Sequence, residues 1–306
     1  MTLTTGRALC VTLVALCGAT NHLRAAESPT ANPPRPVRAL CDVKADVEQQ
    51  YTVTGRVKLL LIWTGRREVG QARFSRSESS DGTRRLTLLV GTDPDRAPMR
   101  LNRWGYIAET TCNAETLVTG VMTESKEQSV EEAKAHRDDQ PQRLPLRTIR
   151  SRVSATEAAT ETSTIIPTRT VTYRDLDDVL TMSPSTKSGV NIAVPPQAES
   201  GFLRAVTSLI QESARTYRSS PKPPAGLHRL YVYGGTLYDM TLHRSRKTDH
   251  PDELESDFSV RNRTTSAITQ FQISYATSGS NPGVARRIVY RPRWWLELEL
   301  LRKERP

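Results

Sequence analysis

The residues best suited to catalysis or metal binding are gathered between His243 and Glu253, where two histidines stand close to three carboxylates. Imidazole and carboxylate groups serve both as metal ligands and as general bases. Their spacing matches no established motif such as HExxH, and Pro251 interrupts it. A solvated polar loop explains the same residues, so a hydrolase or metal enzyme is the least favoured function. The residues concerned are His243, Asp249, His250, Asp252 and Glu253.

Motifs for nucleophilic catalysis and phosphate binding are missing from the sequence. There is no GxSxG turn, and the glycines at 65 and 70 (GRREVG) lack the Lys-Ser/Thr of a P-loop. Glu297 and Glu299 stand about 7 Å apart on one face of a predicted strand. The leucines that flank them predict an outward, solvated face rather than a pair for glycoside chemistry. We therefore predict a non-enzymatic protein with no catalytic residue, no cofactor and no metal.

The amino terminus has the features of a secretory signal, which we place over residues 1–26. Its apolar run, residues 8–19, is too short at 1.5 Å per residue to cross a bilayer core of about 30 Å. We predict a secreted or periplasmic protein with no membrane span in the mature chain. A lipid anchor at Cys17 is the alternative, although Leu16 stands where a lipobox requires a small residue.

Removal of the signal leaves two of the four cysteines, Cys41 and Cys112. An even number of cysteines in an oxidising compartment favours a disulfide between them. Such a bond closes a loop of about 70 residues and contributes on the order of 4 kcal/mol in the loop-entropy model. Two separate buried thiols are the alternative, and neither cysteine belongs to a metal-binding CxxC pair.

Positive charge is spread along the whole chain, with 43 Lys and Arg against 33 Asp and Glu. No dense basic arm, zinc-finger spacing or aromatic-basic strand motif is present, so nucleic acid is not a predicted partner. A soluble surface accounts for this charge. Attraction to a lipid or another anionic component of the cell envelope is the sharper interpretation.

Alternating apolar residues predict strands in both halves of the chain. The first run has apolar residues at odd positions from Tyr51 to Leu61, and the last alternates leucine with glutamate from Leu296 to Leu300. Asp81-Gly82 and Gly234-Gly235 predict hairpin turns. Residues 202–210 have the pattern of an amphipathic helix.

These patterns predict a mainly β protein with an antiparallel, curved sheet or half-barrel, one amphipathic helix and a long, poorly ordered insert. We favour a single sheet shared by both halves, because each half alone has few large apolar residues. The predicted divisions are a signal peptide (1–26), a proline-rich tether (27–40), N-terminal β hairpins (41–122), a charged helix with a linker or mobile loop (123–200), and a helix followed by C-terminal strands (201–306).

Two short motifs resemble those of LolA-like lipoprotein carriers and uncharacterised secreted relatives. They are Gly65 to Ala72 (GRREVGQA) and the tyrosine hairpin from Tyr231 to Leu242 (YVYGGTLYDMTL), within a resemblance that covers about a third of the chain. The resemblance implies a curved sheet covered by helices. It also implies a hydrophobic concavity that binds acyl chains or a lipidated partner, with no catalytic residues.

We therefore predict an exported envelope protein that binds a hydrophobic or amphiphilic ligand, with the helix that starts at Phe202 as its lid. Trp294 and Trp295, in the basic segment YRPRWW, suit lipid headgroups, although packing of both tryptophans on the sheet is the simpler explanation. The alternative is a structural or protein-interaction module with a protein partner and no small-molecule ligand. The predicted ligand-binding residues are Val57, Leu59, Leu61, Leu237, Trp294 and Trp295.

Overall fold

The computed structural model describes residues 47–59, 62–97, 100–124, 143–220, 222–279, 282–293 and 296–303. Within them, fifteen strands pair into one sheet. The first eight strands are β1 (Val47–Leu59), β2 (Ile62–Glu78), β3 (Arg84–Thr92), β4 (Trp104–Cys112), β5 (Glu115–Thr123), β6 (Leu146–Val153), β7 (Glu157–Ile165) and β8 (Thr186–Ala193). The other seven are β9 (Ala198–Glu199), β10 (Ala225–Tyr233), β11 (Thr236–Lys247), β12 (Glu253–Asn262), β13 (Ile268–Ala276), β14 (Ala285–Arg293) and β15 (Leu296–Arg302).

Each half of the chain folds as a meander, and one strand pair joins the two halves. Strands β1 to β8 lie side by side in sequence order, and so do β10 to β15. Strand β1 pairs antiparallel with β15, so that Tyr51 lies opposite Arg302 and Val57 opposite Leu296. The prediction of one antiparallel sheet is confirmed, and β9 alone adds a short parallel pair beside β10.

The sheet curves until its two ends approach each other, without closing into a barrel. The hairpin between β10 and β11 lies near the opposite end of the strand order. A Cβ added to Gly235 would lie 2.3 Å from Cγ1 of Val190 on β8, and one added to Gly120 on β5 would lie 2.4 Å from the Tyr233 hydroxyl. This close approach requires glycine and gives the sheet an interior and an outer face.

The interior is filled by the longer of two α-helices in the described residues, α2 (Phe202–Ser219). It confirms the predicted amphipathic helix and extends it by nine residues beyond Ile210. Its apolar side packs against β10, β3 and β11, so it contacts both halves of the sheet. The buried apolar residues of α2 are Phe202, Leu203, Ala205, Leu209, Ile210 and Ala214.

A second, smaller core covers part of the outer face. Trp104 on β4 and Val121 on β5 pack there beneath a segment formed by a 3-10 turn (Tyr173–Asp175) and α1 (Leu176–Thr181). In the described ranges, no helix is both long and apolar enough to cross a membrane.

Much of the segment predicted as a linker or mobile loop is ordered. Residues 146–199 include β6 to β9 and α1, whereas the predicted charged helix falls largely outside the described residues. Threonine, serine and alanine supply 11 of the 25 residues of β6 to β8, and the buried hydroxyl pair Ser151–Thr160, at 2.8 Å, takes the place of a large apolar contact. Strands built in this way lack the apolar alternation that reveals a strand in a sequence.

Candidate functional site

The candidate site is the apolar interior surface that α2 covers. The rings of Tyr231 and Tyr238 stack at 5.2 Å, and those of Phe258 and Phe271 at 5.1 Å. Phe202, the first residue of α2, lies 6.0 Å from the Tyr231 ring and 6.5 Å from the Phe271 ring. The four rings on the sheet form a surface suited to apolar ligands, and Phe202 packs α2 against it.

The start of α2 is fixed by a buried carboxylate from β4, in the N-terminal half of the sheet. Glu109 on β4 is 1% exposed, and its two oxygens accept hydrogen bonds from the backbone N–H groups of Leu203 (2.7 Å) and Arg204 (2.9 Å). These are among the four N–H groups that a helix start leaves without a partner inside the helix. Gly201 is required beside them, because an added Cβ would lie 2.3 Å from the Glu109 carboxyl carbon.

Burial raises the pKa of Glu109 from its ordinary 4.5 to about 7. The hydrogen bonds from Leu203 and Arg204 lower the pKa, as does the positive charge of Arg204, but loss of hydration outweighs them. The carboxylate of Glu199 raises it slightly further. Glu109 therefore exchanges its proton near neutral pH while it holds the helix.

A chain of hydroxyl groups ties the middle of α2 to the sheet. The Tyr275 hydroxyl lies 2.5 Å from Ser213 Oγ on α2 and 2.8 Å from Ser256 Oγ on β12. All three side chains are buried. On the same side of the sheet, Arg229 of β10 donates to Ser208 (3.2 Å) and pairs with Glu212. Polar contacts therefore join α2 to the sheet from its first turn to Ser213, in addition to its apolar side.

Most of the predicted ligand-binding side chains lie outside the described residues. This holds for Leu61, Trp294 and Trp295 entirely, and for the side chains of Val57 and Leu59, whose backbones belong to β1. Leu237 is half-buried and packs against the core, but it alternates on β11 with Tyr238 and Met240, whose side chains are buried in that core. The proposed roles of these six residues remain predictions.

The segment from His243 to Glu253 spans the β11–β12 hairpin, and its two ends make separate contacts. His243 is exposed at a bulge of β11 and lies 2.7 Å from Ser259 Oγ. Glu253 is 8% exposed and accepts a hydrogen bond from Arg286 at 3.0 Å. Among the described residues, no group of three or more His, Cys, Asp or Glu side chains could hold a metal ion.

Glu297 and Glu299 lie on the outer face, but the prediction that they are solvated is wrong. They are 5% and 6% exposed, because arginines from neighbouring strands cover them. A continuous series of ion pairs crosses the outer face of the sheet from β11 to β1. Its contacts are Arg246–Glu255 (2.8 Å), Glu255–Arg287 (3.2 Å), Arg287–Glu299 (2.5 Å), Glu299–Arg56 (3.2 Å), Arg56–Glu297 (3.2 Å) and Glu297–Arg291 (2.6 Å).

A cavity of about 210 Å³ lies on the outer face, between strands β5 to β8 and α1. Its walls carry hydroxyl groups such as those of Thr148 and Ser163, and its charged residues are Arg150, Glu161 and Lys187. Lys187 and Glu161 pair at 3.5 Å. This cavity is smaller than the roughly 300–1,000 Å³ typical of sites for drug-sized ligands, and it is separate from the interior.

Cys112 is the last residue of β4 and is half-buried. Cys41 lies outside the described residues, so the disulfide between them remains a prediction.

The polar residues that fix α2 were not identified from the sequence. Glu109 could have been found, because Ile107 and Glu109 share one face of β4, and an acid that follows an inward isoleucine by two positions also points inward. Ser213 and Tyr275 give no such signal, since serine and tyrosine are common both inside and outside a β protein.

Comparisons with known proteins name no family. No family model matches the chain, and no curated protein matches it. Among solved structures, the chain is similar to a beta-barrel-like protein of a domain of unknown function, DUF1849, from Brucella abortus. The two are 8% identical, the match covers 86% of this chain and 98% of that chain, and the TM-score is 0.42.

Proposed function

We propose that this protein is a non-enzymatic carrier that binds a hydrophobic or amphiphilic ligand, such as a lipid or a lipidated partner, in the interior that α2 covers. The observation that carries the proposal is the position of α2 over the apolar interior surface, which we call its seat. An amphipathic helix covers an apolar surface to which both halves of the sheet contribute. The likeness of two motifs to lipoprotein carriers is in keeping with this function.

The sheet does not depend on α2 for its main-chain pairing. Each strand bonds to its neighbours, and α2 adds no strand to the ladder. Movement of α2 therefore exposes the apolar surface without breaking a strand pair. An exposed apolar surface of this kind requires another cover, which a ligand would supply.

The free energy gained by burying the apolar side chains of α2 is comparable to that gained by burying an acyl chain. Four large side chains of α2 are buried: Phe202, Leu203, Leu209 and Ile210. At about 1.5–3 kcal/mol each, their burial contributes roughly 6–12 kcal/mol. An acyl chain gains about 0.8 kcal/mol per buried CH₂, so about a dozen methylenes offset the lost burial of these four side chains.

A reversible crosslink at the start of α2 tests the proposal. Thr116 Oγ1 on β5 lies 2.7 Å from Ser200 Oγ, two residues before the helix. We would replace both by cysteine in a mature chain with Cys41→Ser and Cys112→Ser. We expect a dansyl-labelled undecanoic acid to bind the reduced protein at least about tenfold more tightly than the oxidised one. Equal binding in the two states, or no saturable binding to the unmodified protein, contradicts a removable lid.

We also propose that the chain is exported and that its mature form carries the Cys41–Cys112 disulfide. The intact mass of the protein from the exported fraction, recorded without reductant, tests both points. We expect loss of a segment close to residues 1–26 and a mass two hydrogens below the reduced form. A lipid adduct on Cys17 would support the lipoprotein alternative instead. An unprocessed chain contradicts signal cleavage, and absence of the protein from the exported fraction contradicts export.

An anionic lipid surface is the proposed envelope partner. Arg56 and Arg291 contribute to the charged outer face, with side chains 43% and 63% exposed, and the Trp294–Trp295 pair follows β14. We expect co-sedimentation with vesicles that contain phosphatidylglycerol and much less with pure phosphatidylcholine. Equal recovery with both kinds of vesicle contradicts this partner.

A protein-interaction module is the second candidate function, and the edge strand β8 favours it. In the described residues β8 pairs with β7 alone, and seven of its eight residues are exposed. An extended segment of a partner can add a strand to such an edge. We expect Val190→Pro to lose a partner that co-purifies with the wild type, while circular dichroism confirms its fold. Unchanged recovery contradicts docking at β8.

A further inference from the structure

The contact between Glu109 and α2 joins one carboxyl group to the start of the helix that covers the interior. Both oxygens are used, one by Leu203 N–H and the other by Arg204 N–H. The carboxyl group is buried and packs directly against Gly201. A Cβ added to Gly201 would lie 2.3 Å from the carboxyl carbon. When α2 leaves its seat, Glu109 loses these two donors and gains water. The seated and released states therefore differ in the environment of this one acid.

Few other charges act on Glu109. Arg204 of α2 is the nearby cation; its guanidinium donates to Thr111 and lies 3.8 Å from Glu199 of β9. In the sheet, Glu109 lies between Leu86 on β3 and Val118 on β5, which carry no charge. The pKa of Glu109 is therefore set mainly by burial and by the first turn of α2, both of which change when α2 moves, with a minor contribution from Glu199.

We propose that Glu109 is a proton-operated latch, which holds α2 in its seat more tightly when its carboxyl group is protonated than when it is ionised. The biological role of the latch rests on the proposed carrier function. Protonation costs one of the two N–H bonds, because one oxygen becomes a hydroxyl, but it removes a negative charge from the protein interior. Removal of the charge is the larger effect, because Glu109 is only 1% exposed and the loss of hydration outweighs the hydrogen bonds from α2.

The direction of the pH response follows from linkage. The pKa of Glu109 is about 7 with α2 seated and near the ordinary 4.5 when the carboxyl group is free in water. The seated state then binds the proton more tightly, so seating is strongest below about pH 4.5 and weakens as pH rises through 7. For these two pKa values the seating equilibrium becomes about 30-fold less favourable between pH 5.5 and pH 8. A carrier built in this way opens at neutral to basic pH and closes in acid.

Hydrogen exchange of the α2 amides, residues 202–219, tests the latch without any ligand. Protection factors corrected for the intrinsic pH dependence of exchange report the seating equilibrium. In the wild type we expect protection of α2 to fall about 30-fold from pH 5.5 to pH 8, while the amides of β12 change little. In Glu109→Gln the fall should be less than about threefold, since no proton is exchanged. Glu199→Gln, which removes the neighbouring half-buried carboxylate, is the matched control and should keep the wild-type response.

Constant protection of α2 in the wild type between pH 5.5 and pH 8 overturns the latch. An equal fall in Glu109→Gln overturns it too. If Glu109→Gln does not fold, the wild type and Glu199→Gln still decide the outcome. If ionisation of Glu199 were the source of the pH response, Glu199→Gln would abolish that response. The dansyl fatty acid, titrated at the same pH values, separates the two proposals. Protection that follows Glu109 without fatty-acid binding at any pH supports the latch and refutes the carrier.

Discussion

Replacement of Tyr275 by phenylalanine tests whether the interior hydroxyl chain fixes α2 to the sheet. The change keeps the ring and removes an oxygen that bonds Ser213 at 2.5 Å and Ser256 at 2.8 Å. Each buried hydrogen bond contributes about 1 kcal/mol net, so Tyr275→Phe should lower the free energy of unfolding by about 2 kcal/mol. Neither serine is left without an alternative: Ser256 also lies 2.7 Å from Ser245, and a helical serine can bond a carbonyl one turn back.

A double-mutant cycle measures the bond between α2 and the sheet directly. Ser213→Ala alone should cost about 1 kcal/mol, because Tyr275 keeps its bond to Ser256. The double variant should cost about 2 kcal/mol, which gives a coupling energy of about 1 kcal/mol. Urea unfolding at constant pH, followed by circular dichroism, provides all four values. Tyr217→Phe, on the last turn of α2, is the matched control and should change stability by less than about 0.5 kcal/mol. A cost below about 0.5 kcal/mol for Tyr275→Phe, or strict additivity in the cycle, would refute the reasoning.

Three further substitutions test other parts of the fold by the same unfolding assay. Arg287→Met removes the guanidinium that joins Glu255 to Glu299, so we expect the free energy of unfolding to fall by about 1–2 kcal/mol. Arg244→Met, the control, breaks the exposed pair with Asp257 and should lower it by less than about 0.5 kcal/mol. Equal losses contradict a special role for the series of ion pairs on the outer face. Gly201→Ala forces a Cβ against the Glu109 carboxyl group and should cost about 1–3 kcal/mol of stability. Gly189→Ala is the control and should be near neutral, because its added Cβ has its nearest neighbour at 3.9 Å. A neutral Gly201→Ala would show that the contact can relax. Leu300→Ala, at a fully buried site on β15, should cost about 2–5 kcal/mol of stability. Leu301→Ala, at an exposed site on the same strand, should cost less than about 1 kcal/mol. Similar values for both would show that the assigned faces of β15 are wrong.

The alternation at the carboxyl end shows what sequence pattern predicts well. Leu298 and Leu300 are buried on the interior face of β15, as the leucine–glutamate alternation indicates. The pattern did not predict the burial of Glu297 and Glu299, because that depends on arginines from strands far away in sequence, such as Arg56. Alternation reports which face a residue occupies, not what covers that face.

The middle of the chain shows where sequence pattern fails. Strands β6 to β8 stabilise themselves by main-chain pairing and small hydroxyl contacts, so their polar composition resembles that of a linker. The candidate site was predicted in part. The helix at Phe202 and its position over an apolar interior were accessible from amphipathicity, whereas the chain of hydroxyls beneath it joins residues up to 62 positions apart.

The pairing of β1 with β15 has a consequence for how the molecule is assembled. Tyr51 finds its partner in Arg302, so the strand pair that unites the two halves needs both ends of the folded region. Contacts of such long sequence separation are slow to form. Until the last strand is available, one edge of β1 remains unpaired and open to association with other chains. A chain that emerges from its amino terminus first therefore completes its sheet only after β15 has emerged, and removal of residues 296–306 should leave two meanders in place of one sheet.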